Sequence, residues 1–257
     1  MAGIQIVILA IGWAASPVGY SDADFVAGQL PTLLVVTLFV AVVAWGMAEP
    51  GEIGLRRPSV FKARWLIPAT VMLLVAGAGF ALAWSTLPEG ASVDGSMIAG
   101  TLAATLLVGF TEELTYRGLL LVVFVKAVGF GRGIPIAAVA FGLLHAINPI
   151  AGLGARATAV QVIFTGLLTL VFVLVAFGTR SLWPAMVIHG LYDFFVVGSE
   201  QLEAAGAETS PAVVAAGGVG VIGAIYAMFS LRRTDLTPIW PAYGLENTDH
   251  HPARTER

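Results

Sequence analysis

The chain contains no cysteine. Disulfides, thiolate metal sites and a cysteine nucleophile are therefore excluded, and the redox compartment leaves no mark. Charge is scarce as well: 11% of the 257 residues are Asp, Glu, Lys or Arg, against roughly 25% in an ordinary soluble domain. There is no Gly-x-Ser-x-Gly nucleophile turn, no serine deep inside a hydrophobic run and no His-Glu-x-x-His sequence, so serine-hydrolase and zincin chemistry have no carrier. The net charge of -3 identifies no partner, and no nucleic-acid interaction is expected.

Apolar length is what the chain does have. Hydrophobic residues make up 58% of it, more than a soluble fold of this size can hide. About 20 consecutive apolar residues cross a hydrocarbon core, and eight runs stand out: 3–15, 30–48, 66–87, 97–126, 133–153, 157–177, 182–198 and 212–231. The expected fold is an all-α, polytopic bundle of about eight transmembrane helices over residues 1–231, followed by a polar, disordered tail at 232–257. The first run is short for a span, yet no Lys or Arg precedes it as a signal peptide would require, so it is read as a span. The fourth is too long for one upright helix, and Gly118 is the expected place for it to bend or split.

Basic residues set the orientation, because cytoplasmic loops retain Lys and Arg. With eight spans, one side holds nine of them, Arg56, Arg57, Lys62, Arg64, Lys126, Arg132, Arg180, Arg232 and Arg233, and the other only Arg156. The opposite loops carry Asp22, Asp24, Glu89, Asp94, Glu200, Glu203 and Glu208. A multi-pass protein of the cell membrane with both termini cytoplasmic is the expectation.

Ionisable side chains at membrane depth cost about 2.5–3.5 kcal/mol each on insertion scales, so their presence points to function. Here they cluster: Glu112, Glu113 and Arg117 on the fourth run, His145 on the fifth, His189 and Asp193 on the seventh. Glu113 and Arg117 are four apart and share a helix face, which reads as a structural ion pair. Glu112 points about 100° away, has no partner on its own helix, and suits a group that takes and returns a proton. His145 follows Phe141 by four, and Asp193 follows His189 by four. Measured along the helices from the nearest basic residue, Glu112, His145 and His189 lie at depths of about 21, 20 and 14 Å. They are compatible with one mid-membrane site, expected to open to the cytoplasm. Two imidazoles and a free carboxylate on three spans can activate water directly or hold a metal ion that does so. Tyr192-Asp193 resembles half of an aspartyl intramembrane site, but no second Asp lies inside a run. His250 and His251 fall in the polar tail and are read as solvated.

In order along the chain, Glu112-Glu113-x-x-x-Arg117, Phe141-x-x-x-His145 and His189-x-x-x-Asp193 resemble the three motifs of the CPBP membrane proteins, a family that includes the CAAX prenyl endopeptidases and many bacterial relatives. The resemblance covers about 97–198. It implies an all-helical core and an endopeptidase in which Glu112 and His145 prepare a water nucleophile while His189 and Asp193 face the scissile carbonyl and stabilise its oxyanion. Phe141 supports the substrate pocket. Where the family carries Asn in the third motif, its amide donates to the oxyanion. An ionised Asp193 can only accept, so it must be protonated, orient His189 or bind a metal. The resemblance implies either a glutamate protease with no cofactor or a metalloprotease with one Zn held among Glu112, His145, His189 and Asp193. The implied partners are the lipid bilayer and a membrane-anchored or lipidated peptide or protein substrate. The rival expectations are a proton-coupled carrier, against which the chain shows no inverted repeat, and a non-catalytic scaffold or immunity-type protein.

Overall fold

The computed structural model describes residues 23–236, apart from 92, 94 and 152, together with residue 239. Their elements are α1 (Ala23–Met47), α2 (Ala63–Ser85), α3 (Gly95–Glu113), a π-helical segment (Leu114–Leu120), α4 (Leu121–Val128), α5 (Phe130–Leu144), a 3-10 segment (His145–Ala151), α6 (Ala155–Thr179), α7 (Trp183–Ala204) and α8 (Pro211–Arg232). The π segment joins α3 to α4 in one passage, so seven long passages correspond to the second through eighth hydrophobic runs. The run at 3–15 and His250 and His251 lie outside the described residues. Six passages are long and apolar enough to cross a membrane. The other, α7, carries His189, Asp193, Glu200 and Glu203.

Helix is the form this composition demands, because a backbone without water must satisfy its own amides and carbonyls. The outer faces are apolar: Trp45 is 73% exposed, Val214 78% and Ile222 68%, surfaces that acyl chains would cover. The core is built around α6, whose Phe172, Leu174 and Phe177 are buried with Trp65 and Met72 of α2. Beyond α8, Leu236 and Ile239 are also buried against this core.

Two expectations about individual helices are refined. The fourth run does not split at Gly118; it stays continuous and loosens into the π segment. A Cβ on Gly118 would lie 3.1 Å from Leu182 Cδ1 and 3.2 Å from the Ile53 carbonyl oxygen, so glycine there admits the turn at Ile53. The fifth run is not α-helical to 153. It ends at Leu144 and continues as the 3-10 segment, because Pro149 lacks an amide hydrogen and disfavours α-helix at Asn148.

Close backbone approach sets the two helix contacts that matter most. A Cβ on Gly109 of α3 would lie 2.7 Å from the Gly190 nitrogen and from the Met186 oxygen of α7, and a Cβ on Gly190 would lie 2.8 Å from Leu106 Cα. The two helices therefore touch main chain to main chain, as small residues permit inside membranes. On α5 and α6, a Cβ on Gly142 would come against the Val162 oxygen and lie 3.3 Å from Gly166 Cα. Interhelical hydrogen bonds add to this, Thr37 Oγ1 with Thr111 Oγ1 at 2.7 Å and Thr101 Oγ1 donating to Gln201 Oε1 at 2.9 Å.

The loops segregate to two ends. At the Arg-rich end, Ser59 N donates to Thr179 O (3.2 Å), Lys62 N to Gly178 O (3.0 Å) and Leu182 N to Gly54 O (2.9 Å), and Ser181 Oγ donates to Arg56 O (2.6 Å). At the acidic end, Glu208 N donates to Thr86 Oγ1 at 3.0 Å.

Gly190→Ala is expected to lower thermal stability in detergent by about 1–3 kcal/mol, the usual cost of overpacking. Gly218→Ala on α8, where a Cβ meets nothing within 4 Å, should be neutral or stabilising by about 0.4–1 kcal/mol. Equal melting temperatures for the two variants would contradict the proposed contact.

Candidate active site

The glycine contact between α3 and α7 delivers the first polar cluster. Gly109 lies one turn before Glu112 and Glu113, and Gly190 directly follows His189, so both carboxylates meet one imidazole. Glu113 Oε1 accepts from His189 Nδ1 at 2.9 Å and lies 3.1 Å from Arg117 Nη1. On the other side of the ring, His189 Nε2 is 3.5 Å from Asp193 Oδ2 and 3.8 Å from Glu112 Oε2. Both are charge contacts rather than hydrogen bonds. A face-to-face ring contact with Phe172, centroids 4.7 Å apart, fixes the plane of His189.

Arg117 was expected to pair with Glu113, and it does. It is fully buried, its Nη2 donates to Thr169 Oγ1 at 3.3 Å, and its guanidinium carbon sits 4.2 Å from the Phe141 ring centre and 5.4 Å from that of Phe172. Aromatic faces replace part of the lost hydration of the cation. The structure adds what helix geometry alone did not suggest: Glu113 is shared between Arg117 and His189. Phe141, expected to support a pocket, is 1% exposed and holds Tyr116, His145 and His189 edge-on.

His145 stands where α5 gives way to the 3-10 segment. Its Nδ1 is 3.2 Å from the Phe141 carbonyl oxygen and 3.3 Å from Thr165 Oγ1. A carbonyl only accepts, so Nδ1 carries the proton in that bond and Nε2 keeps a lone pair.

Glu112, His145, His189, Asp193 and Phe141 all line one cavity of about 920 Å³. The Glu112 and Asp193 side chains are 14% and 29% exposed within it, whereas Glu113 and Arg117 sit behind His189 and line none of it. Glu112, His145, His189 and Asp193 are thus brought together from three passages.

The lining does not run toward the Arg-rich end, where the opening is expected. The far lining residues are Gln29, Asn148, Gly154, Arg156 and Glu200, which belong to the acidic end. Counting depth along a helix says nothing about which end is covered, and here the turn at Ile53 and Gly54 packs against Gly118 and Leu182 at the Arg-rich end and lines none of the cavity.

As placed, these donors do not fit a Zn ion. Among the described residues no three carboxylate or imidazole side chains lie close enough together to hold a metal. Sequence reading missed Phe172, Thr165, Asn148 and Gln161. The pair Gln161 and Thr165, four apart on an otherwise apolar run, was the available signal.

Residues 94–195 match the family model described as type II CAAX prenyl endopeptidase Rce1-like, in agreement with the CPBP resemblance of the three motifs. A comparison with curated proteins finds no match, nor does one with solved structures. The family match supports an intramembrane endopeptidase acting on a membrane-associated peptide.

Glu113→Gln is expected to cost about 3–5 kcal/mol, because it strands a buried guanidinium, and to lower activity because a neutral amide oxygen holds His189 Nδ1 less strongly than a carboxylate. The double variant Glu113→Gln with Arg117→Met should recover much of the thermal stability but not the activity. Full activity in the double variant would show that Glu113 serves Arg117 alone.

Proposed function

We propose, from the premise of an Rce1-like, CPBP-type core at residues 94–195, that this protein hydrolyses a peptide bond of a membrane-associated substrate with water activated by Glu112 and His145. The observation that carries this reading is the convergence of Glu112, His145, His189 and Asp193 on the lining of one cavity.

Glu112 takes a proton from the water as its oxygen attacks the scissile carbonyl carbon. His145, with Nδ1 tied to the Phe141 carbonyl, turns its Nε2 lone pair to the water's second hydrogen and aligns it. The carbonyl oxygen becomes an oxyanion, to which His189 donates from Nε2. Glu113 holds that ring from behind through Nδ1. Asp193, 3.5 Å from Nε2, keeps the N–H aimed into the cavity until the oxyanion takes its place. When the tetrahedral intermediate collapses, the C–N bond breaks and Glu112 returns its proton to the leaving amine.

Glu112→Gln keeps the side-chain volume but removes the base. Cleavage of a membrane-anchored peptide in proteoliposomes should be lost while the melting temperature stays unchanged. Residual activity above a tenth of wild type, about 1.4 kcal/mol of barrier, would remove Glu112 from this role. Solute flux without cleavage would instead favour a carrier.

The segregation of basic loops orients the protein with both termini in the cytoplasm. In this cysteine-free background, Ser59→Cys at the Arg-rich end should react with a membrane-impermeant thiol reagent only after the cytoplasmic face is exposed. Glu89→Cys at the acidic end should react in intact cells. The reverse pattern overturns the orientation.

A further inference from the structure

The cavity lining reaches the acidic end of the bundle and stops short of the Arg-rich end. Ile53 is 2% exposed, and its carbonyl comes against Gly118. Gly54 O accepts from Leu182 N, and Thr179 O accepts from Ser59 N, at 2.9 and 3.2 Å. The loop between α1 and α2 is thus stitched into the α6 to α7 turn, and no residue of either loop lines the cavity. Glu112 and His189 form the floor above this seal. From there the lining runs past Val108, Leu144 and Val197 to Arg156 and Glu200, the latter about 26 Å along α7 from its Arg-rich end.

The chemistry of the upper walls indicates what enters. Side-chain amides interrupt the apolar lining, and one pair is organised: Asn148 Nδ2 donates to Gln161 Oε1 at 2.5 Å, across the gap between the 3-10 segment and α6. That bond leaves an acceptor on Asn148 and a donor on Gln161. An extended polypeptide needs such groups, because its backbone enters without the internal hydrogen bonds of a helix. A lipid chain has no use for them.

We propose that the site is entered from the extracytoplasmic side, and that its substrates are membrane-anchored polypeptides whose scissile segment, in extended form, lies in or just outside the outer half of the bilayer. The substrate class rests on the protease reading above; the side of entry does not. A cytoplasmic peptide tail would have to pass the seal at Ile53, and the apolar walls below the mouth suit the segment where such a protein leaves its anchor.

The test separates entry from catalysis. Val108→Cys near the floor and Glu200→Cys at the mouth are made in the otherwise wild-type chain, with Ser59→Cys as the marker of the opposite end. Each is exposed to a membrane-impermeant maleimide in right-side-out and in inverted membrane vesicles. Val108→Cys and Glu200→Cys should be labelled at least tenfold faster in right-side-out vesicles, and Ser59→Cys in inverted ones. Labelling of Val108→Cys from the side that labels Ser59→Cys, from both sides equally or from neither overturns the proposed entry.

In parallel, two reporters with one apolar anchor carry the same extended flank on the outer or the inner side. Only the outer flank should be cut, and Gln161→Leu should raise KM severalfold with little change in kcat. Cutting of the inner flank alone overturns the substrate class. If neither reporter is cut while labelling follows the expected pattern, the protease reading fails and the entry route stands.

Discussion

Everything in the site depends on two helices touching without side chains between them. Membrane helices gain no hydrophobic drive from each other, since lipid is as apolar as leucine, and their association rests on close packing and polar contacts. At Gly109 and Gly190 that packing reaches the main chain. The spacing it sets is short enough for Glu112 and Glu113, one turn further along α3, to address the two nitrogens of His189 separately. A methyl group at either glycine would meet main-chain atoms at 2.7–2.8 Å, and relieving that contact to a van der Waals separation would stretch the 2.9 Å bond between Glu113 and His189. The contact between Gly142 and Gly166 has the same bearing on His145 and Thr165.

Burying charge at this depth has an energetic logic of its own. Two adjacent glutamates of identical chemistry are differentiated by what stands behind them. Glu113 has a guanidinium and an imidazole, and the guanidinium is itself packed against Phe141 and Phe172. Glu112 has only the cavity and the far nitrogen of His189. The first carboxylate is fixed in place, and the second faces the cavity. Polar groups that are only partly satisfied are costly in a low dielectric, which fits a cluster this compact bounded by aromatic rings.

Much of this was legible before any coordinates. The passages from α1 to α8 follow the hydrophobic runs to within a few residues at most ends, because in a bilayer composition and length nearly dictate secondary structure. Glu112, His145, His189 and Asp193 were recognisable because ionisable residues are rare inside such runs. What escaped was relational. The pairing of Glu113 with Arg117 followed from one helix, but its bond to His189 depends on another helix arriving at a particular height. The closure at Ile53 escaped for the same reason, since the run of apolar residues ends before that turn and nothing local marks it as buried. Phe172 sits among many equivalent apolar residues of α6, and only packing tells it apart.

The buried turn at Ile53 also bears on how such a protein can change over evolutionary time. Connecting segments usually tolerate insertion and substitution because they lie on the surface. The segment between α1 and α2 lacks that latitude, since Ile53 is buried and the segment is tied by hydrogen bonds to the turn between α6 and α7. At the opposite end the connection between α5 and α6, with Asn148, Gly154 and, at the start of α6, Arg156, lines the mouth of the cavity instead. New specificities would therefore arise by remodelling the rim, over a base that stays fixed.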